Sequence, residues 1–445
     1  MRLEPLDEVQ IESIVSKAIE DAQDFIDSEV APQRIKAQRY FDGEVDIGYE
    51  EGRSRVVATK CREVVRGMKP SIQRIFLSNE KPVEFVPRGP EDVAMAEQAT
   101  QFVSYKFQQH NGYRILSDVF QDAMVKKAGI AYVYHREEME TEIHTFTNLT
   151  EEAFALLVED DDVEVIEHEA RMTISMDEMG MEIEMPEHDV KIARSIPHGD
   201  VCIESIPPED FFVDRNARSM DSYYIVGHST EMTVGELLSM GFSLDDLAGL
   251  DGSEYSTTQD EAEFERRGYT VDEADDENIS GASKKITVTN AYMELDIEGT
   301  GQTKLYQFLC AGTSYKLLNF YEADYAPYAI FECDPEPHAF FGTSLVDLVM
   351  DDQDAATAML RGVLDNVALT NNPALQVVEG QAAIDDLLNN EIGRIIRVKS
   401  PSAVTEMTVP FTAGPTLPAM QYFDQLVDNK TGVSKMAQGL DPDVL

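Results

Sequence analysis

The sequence predicts an α+β protein in which long amphipathic helices surround one β-rich stretch. Three observations carry this. Apolar residues recur at three- and four-residue spacing over much of residues 8–127, alternate over 285–333, and return to helical spacing in one long run, 344–370. With 445 residues, 43% of them apolar, the chain is long enough for two to four packing units with real cores.

The elements follow in chain order. Ile11, Ile14, Val15, Ala18, Ile19, Ala22 and Ile26 mark one amphipathic helix over 8–40. A second helix is expected over 53–77, with Val56, Val57, Val64, Met68, Ile72 and Ile75 on its apolar face. A third, 91–109, breaks at His110-Asn111-Gly112 and leads into a fourth, 113–127, stopped by Gly129 before the alternating strand 130–135. Residues 137–189 carry 19 acidic side chains against one arginine, Arg171, and their alternation suggests a solvated β-hairpin. A Pro-punctuated connection with short strands follows over 197–213, then a short helix over 232–241. Residues 251–282 lack apolar periodicity and read as a mobile acidic loop. Strands are expected over 285–333, with Gly299-Thr300-Gly301 as a turn, and then the helix 344–370, capped by Ser344 and ended by Asn371-Asn372-Pro373. Strands at 374–380, 393–399 and 404–410 and a helix over 416–429 complete the chain; 431–445 has loop chemistry.

Charge narrows the function. The 84 acidic against 36 basic side chains give a formal net charge of −48, which repels phosphate backbones and anionic lipid and argues against groove-type DNA binding. Cys61, Cys202, Cys310 and Cys333 have no CxxC spacing and read as core residues of a reduced protein. The N-terminus lacks the basic and apolar regions of a secretion signal, and no stretch approaches a membrane span, so a soluble protein is expected.

Catalytic signatures do not appear. Gly299–Lys304 has neither the spacing nor the strand–helix setting of a phosphate loop, and with Asp296 and Glu298 it is only a broken calcium-loop pattern. No HExxH and no GxSxG is present. Carboxylate pairs such as Asp161-Asp162 and Asp351-Asp352 are what so acidic a composition supplies by chance; a metal-dependent nuclease built on them is the enzymatic alternative.

Two features stand out. The 344–370 helix, about 40 Å long at 1.5 Å per residue, places Leu345, Leu348, Val349, Ala356, Met359, Leu360, Val363 and Val367 on one face, interrupted only by Asp352. Asp347, Asp351, Asp354 and Asp365, with Arg361 among them, fall opposite; they are either a solvated face or the wall of a hole. Residues 53–81 form a basic island of eight Lys/Arg and two acids. It is either a solvated face or, through Arg62, Arg66 and Arg74, a contact with a neighbour's acidic surface in a head-to-tail ring.

The order of several motifs then resembles a known family. Phe340-Phe341-Gly342-Thr343-Ser344-Leu345-Val346-Asp347-Leu348, Asp351-Asp352-Gln353, Arg361, Leu364-Asp365-Asn366 and Thr370-Asn371-Asn372-Pro373 resemble the core signature of the portal (head-to-tail connector) proteins of podovirus-type tailed bacteriophages. So do Ile206-Pro207-Pro208-Glu209-Asp210-Phe211, Ser54-Arg55-Val56-Val57, Asp122-Ala123-Met124, Lys127-Ala128-Gly129-Ile130, Thr431-Gly432-Val433-Ser434 and Gly439-Leu440-Asp441-Pro442-Asp443. The likeness runs over nearly the whole chain.

The resemblance implies a portal-type fold: a helical wing, a β-rich clip and a long stem helix, assembling as a dodecameric ring at one capsid vertex. On it, residues 1–230 form the wing and 231–284 a helix and loop leading to the clip, 285–340. Residues 341–371 are the stem helix, 372–430 return to the wing, and 431–445 begin a tunnel loop. Family members continue past this point into another helix and a crown, so the sequence is expected to stop short of them. The implied partners are further copies of the chain, the major capsid and scaffolding proteins, the large terminase during packaging, a tail adaptor afterwards, and double-stranded DNA passing without sequence specificity. No enzymatic activity, cofactor, metal or membrane is implied, and the location is the virion vertex after assembly in the host cytoplasm. Tyr306, Phe308, Tyr321, Tyr325 and Tyr328 are expected to be exposed as a partner surface on the clip, and the aspartate stripe to line the channel. The alternative in the structural class is an acidic capsid-associated scaffold or adaptor without a DNA channel.

Overall fold

A computed structural model describes residues 5–45, 48, 51–77, 83–158, 163–176, 182–247, 250, 257–268, 281–389, 393 and 395–432. The chain divides into two compact units: Met1–Ser104 with Asn111–Tyr132 and Ser205–Leu445, and Tyr105–His110 with Val133–Glu204. The expected 1–230 segment therefore contributes to both.

The first unit opens with α1 (Glu8–Phe25) and α2 (Ala31–Asp42), joined by a π-helical turn, Ile26–Val30. The single helix expected over 8–40 is thus widened in the middle. Pro32 has no N–H to give to the preceding turn, and the Ala31 N–H reaches back five residues to the Ile26 carbonyl. Next, α3 spans Lys60–Leu77, starting seven residues later than the spacing suggested because 53–59 run extended along a later helix. Helices α4 (Val93–Gln109) and α5 (Gly112–Lys126) flank the expected break at Asn111, whose φ is 54°. Strand β1 (Ala128–Thr150) begins at once. Gly129 is obligatory there: a Cβ would lie 1.8 Å from the Val119 carbonyl oxygen.

The main sheet holds β4 (Phe211–Val213), β5 (Ile225–Thr233), β6 (Lys285–Leu295), β7 (Lys304–Ala311) and β8 (Lys316–Glu322) in sequence order, antiparallel throughout. β6 pairs with β5 from Thr233↔Lys285 to Ile225↔Met293. The β-rich 285–340 stretch thus shares a sheet with 211–233. Ile11, Val15, Ile19 and Ala22 of α1 close this sheet against Phe212, Ile225, Met293 and Phe308. Strand β9 (Tyr328–Glu332) leaves the sheet and pairs with Ala128–Tyr132.

Short helices α7 (Val234–Ser239) and α8 (Leu244–Leu247) follow β5, and α9 (Thr257–Arg267) lies within the segment expected to be a loop. The long helix is α10 (Leu345–Asn371), with Ser344 and Asp347 forming a reciprocal capping box. Beyond it come β10 (Leu375–Val377), α11 (Ile384–Leu388), β11 (Val404–Glu406) and α12 (Ala413–Thr431). Val398 makes only an isolated bridge to Ala382, so the expected strand over 393–399 is absent among its described residues. The second core gathers Phe41, Val64, Val65, Phe120, Met124, Leu345, Val346, Val349 and Val427 from α2, α3, α5, α10 and α12.

In the second unit the remainder of β1 joins β2 (Val163–Met176) and β3 (Glu182–Ile206) in the order β2-β3-β1, with α6 (Glu151–Val158) between β1 and β2. The acidic hairpin read from alternation is present, with a bulge between Val165 and Glu167.

Candidate functional site

Helix α10 is the axis on which distant parts of the first unit are fastened. Gln353, fully buried, accepts from the Cys61 backbone N–H at 2.9 Å and donates to the Tyr40 carbonyl at 2.9 Å. Further along, Ala58 N–H donates to Thr357 Oγ1 at 3.1 Å, Arg361 donates to the Val56 carbonyl at 2.9 Å, and Ser54 N–H donates to Asp365 at 2.8 Å. The segment 54–61 thus runs antiparallel to α10, and the helix supplies the partners its extended backbone would otherwise lack. Asn366 accepts from Thr412 N–H at 2.9 Å and donates to the Pro410 carbonyl at 3.0 Å, positioning the start of α12. Lys430, near the end of α12, donates to Asp352 at 2.6 Å. Gly342, just before α10, lies so close to Asp334 that a Cβ would meet its carbonyl oxygen at 2.2 Å.

A second junction is ionic. Arg34 on α2 is buried and donates to the carbonyls of Lys126 and Pro208 at 3.2 and 2.6 Å, with its guanidinium over the Phe341 ring. Burial lowers its pKa to about 10, although Glu209 and Asp122 oppose this. Glu209 contacts Lys126 at 3.4 Å and Arg266 at 2.7 Å. Those two cations outweigh its desolvation and hold its carboxyl below the usual range. Asp210 and Asp122 form no ion pair among the described residues, and burial pushes them up to about 7 and about 6.

These contacts bring together 54–57 with 361–366, and 206–211 with Phe341 and the end of α5. The family model described as Phage SU10 portal protein matches residues 11–445. The chain belongs to that family. It is a phage portal protein of the podovirus type. A comparison with curated proteins finds no match.

The portal's aspartate stripe is not the free row its spacing suggested. Asp347 caps its own helix and lies 3.4 Å from Lys127. Asp354 accepts from the Tyr40 hydroxyl at 2.8 Å, and burial together with this bond pushes Tyr40 up to about 12. Asp365 takes Ser54 N–H and faces Arg53 at 3.7 Å. Asp351 alone is exposed, without an ion pair or hydrogen bond among the described residues. The opposite, apolar face is buried at Leu345, Val349 and Ala356 and half-buried at Met359, Leu360, Val363 and Val367, while Leu364 on its flank and Leu369 on the aspartate side remain 39% and 42% exposed.

The basic island divides as well. Arg62 donates to the Phe41 carbonyl at 2.9 Å and to Asp42 at 3.0 Å, whereas Arg66 and Arg74 are exposed and form no ion pair among the described residues. Of the five aromatics expected on a clip surface, three are core. Phe308 is fully buried, Tyr306 packs against α1's apolar face, and Tyr328 is hydrogen-bonded to His228 at 2.7 Å. Alternation over 304–311 turns one face inward, and Tyr306 and Phe308 are on it. Tyr321 and Tyr325 are exposed.

Sequence reasoning quoted Gln353 only within a family motif and gave no role to Gln353, Thr357, Arg34 or Lys430. Two signals pointed to the first pair: polar residues on the half of α10 adjoining the apolar stripe, within 27 residues that otherwise keep a helical period. In the second unit, His168 and His188 are hydrogen-bonded at 2.8 Å, His188 meets Glu151 at 2.8 Å, and Phe154 stacks on both imidazoles. Among the described residues no group of three or more His, Cys, Asp or Glu is arranged to hold a metal ion, and no helix is long and apolar enough to cross a membrane. The Asp296 carboxylate accepts from Thr300 and Gly301 N–H at 3.0 and 2.7 Å, so it serves the hairpin turn. The free cysteines are buried or half-buried, and burial pushes the Cys61 thiol up to about 12, far from reactive. The family is structural rather than enzymatic.

Proposed function

We propose that this portal protein forms a closed homo-oligomeric ring, a dodecamer, at one capsid vertex, through which double-stranded DNA is packaged and ejected. In that reading 1–230 and 372–430 build the wing, 285–340 the clip, 341–371 the stem and 431–445 the start of a tunnel loop. The large terminase, and later a tail adaptor, dock at the ring, the exposed Tyr321 and Tyr325 offering amphipathic contact surface. The wing meets the major capsid and scaffolding proteins during assembly in the host cytoplasm.

The observation that carries the ring, beside family membership, is apolar surface left open on the hub. Leu364 and Leu369 of α10 and Leu417 and Tyr422 of α12 are exposed in the subunit, and of α12 only Ala413 and Val427 are buried. A monomer has no use for such a surface, whereas a neighbouring copy covers it. Mass measurement and negative-stain images of the purified protein test the proposal. A rotationally symmetric annulus is expected; a monodisperse monomer at high concentration overturns it and leaves the scaffold or adaptor reading standing.

A further inference from the structure

Helix α9 is an unusual component of the first unit. It has 11 residues, TTQDEAEFERR, fewer than an isolated helix needs for stability in water. Among its described side chains only Ala262 is buried, and Phe264 points outward, 44% exposed. Apolar burial on this scale does not hold a helix in place. Charge does the holding. Arg39 of α2 bridges Glu265 at 2.6 Å and Glu261 at 2.7 Å, one helical turn apart, and Arg266 reaches Glu209 at 2.7 Å. The last pair is in charge contact but misaligned for a hydrogen bond. Gln259 adds a 3.3 Å bond to the Glu209 carbonyl.

What α9 covers is the ionic junction. A crevice beneath it is lined by Ala31, Ile35 and Gln38 of α2, with Arg34, Lys126 and Glu209 at its floor. Arg34 Nη2 has no hydrogen-bond partner among the described residues, so this guanidinium lacks one of the contacts that burial demands. Lifting α9 would hydrate that atom, which lowers the cost of opening. The same step removes one of the two cations that Glu209 faces.

We infer that α9 is a detachable strap: a helix held across α2 by ion pairs rather than by packing, whose release opens the Arg34–Lys126–Glu209 junction to water. The first unit then has a strapped and an unstrapped state, and low-stability elements of this kind are where a fold opens locally. The balance between the two responds to ionic strength, because Arg39 and Arg266 are partly exposed and the Arg39–Glu261 pair is open on both sides, so salt screens these contacts while apolar packing is not screened. Glu265 and Glu209, only 8% and 5% exposed, blunt the effect without removing it.

Hydrogen exchange of the full chain, read by peptide, tests this. Amides of 258–267 are expected to exchange about tenfold faster relative to α3 when salt rises from ~20 mM to ~500 mM. Arg39→Glu is expected to give the same acceleration at low salt. The charge swap Arg39→Glu with Glu261→Arg and Glu265→Arg is expected to restore slow exchange and its salt dependence. Trypsin cleavage at Arg266 and Arg267 gives a second readout that follows the same order. Exchange of α9 that ignores both salt and Arg39→Glu overturns the inference, and so does a swap that folds but leaves α9 as open as the single variant. The wild-type salt series decides the matter alone if the variants do not fold.

Discussion

Lys430 meets Asp352 at 2.6 Å, joining the end of α12 to the one acidic residue on the apolar side of α10. Asp352 is 7% exposed, whereas nearly half of the Lys430 side chain is open to solvent. Removing the lysine leaves a buried carboxylate without its cation. Lys430→Met is therefore expected to cost about 1–3 kcal/mol, and adding Asp352→Leu to recover most of it, since a well-packed apolar pair replaces a buried ion pair at little cost. Urea midpoints of the single and double variants check this; a double variant no better than the single one refutes the pairing.

Gln353 makes a sharper case, because both ends of its amide are used. Gln353→Leu strands the Cys61 N–H and leaves the Tyr40 carbonyl only its 3.3 Å bond from the Gly43 N–H, and is expected to cost about 1–3 kcal/mol. Gln353→Glu keeps the acceptor but sets a carboxylate against the Tyr40 carbonyl. It should be worse at pH 8 and recover on acidification, when the protonated acid can donate. A Glu variant whose deficit does not shrink toward pH 5 would remove the amide from this role.

Much of this is legible in the amino-acid sequence alone. Ser344 as cap, Asn371-Asn372-Pro373 as stop, the break at Asn111 and the acidic hairpin each rest on local chemistry, and local chemistry reads directly from sequence. Residues 53–59 were misread as helix because Val56 and Val57 fit the period. Nothing local shows that Arg361, Thr357 and Asp365, some 300 residues on, would take their backbone groups. For the same reason three aspartates looked free: their partners Lys127, Tyr40 and Ser54 belong to other elements. The aromatics of 304–311 were misassigned for want of α1, whose apolar stripe makes the inner face of the sheet.

Acidification should tighten the first unit. Asp210, raised to about 7, and Asp122, raised to about 6, start from an ordinary 3.8. The folded state therefore binds protons that the unfolded state does not, and stability rises as pH falls through those values. His228 works in the opposite direction but lower. Burial depresses it from 6.5 to about 4, so its contribution is whole above pH 6.5 and fades below. Between pH 8 and 6.5 the aspartates act alone, and Tm is expected to rise across that window. Asp210→Asn should raise Tm at pH 8 and flatten the rise. An unchanged pH profile in that variant contradicts the assignment.

The basic island now yields a narrower assembly test. Arg62 is tied to Asp42 and the Phe41 carbonyl, so its reversal should lower stability whether or not rings form. Arg66 and Arg74 are exposed, and Arg66→Glu with Arg74→Glu should leave a folded subunit that fails to close rings against a neighbour's acidic surface. Normal annuli from the double variant would make the island a solvated face.

Asp351 carries the test of the channel. Of the four aspartates it alone is exposed and without an ion pair or hydrogen bond among the described residues, so it is the one whose charge can act outward without first breaking a contact. Repeated around a ring, an outward carboxylate repels the DNA backbone at every rotational setting, and no phosphate settles beside it. A lysine at the same place would condense with phosphate, release counterions and hold the strand in a salt-dependent way. Asp351→Lys is therefore expected to keep the stability of the wild type and to form rings that retain DNA at low salt and release it as salt rises. Asp351→Ala should be mild, since a neutral wall neither repels nor grips. Asp354→Lys is the internal control: it removes the acceptor of the Tyr40 hydroxyl, so its first effect should be lost stability. DNA retention by Asp354→Lys rings of normal stability, with none by Asp351→Lys, would mean that Asp351 faces away from the hole.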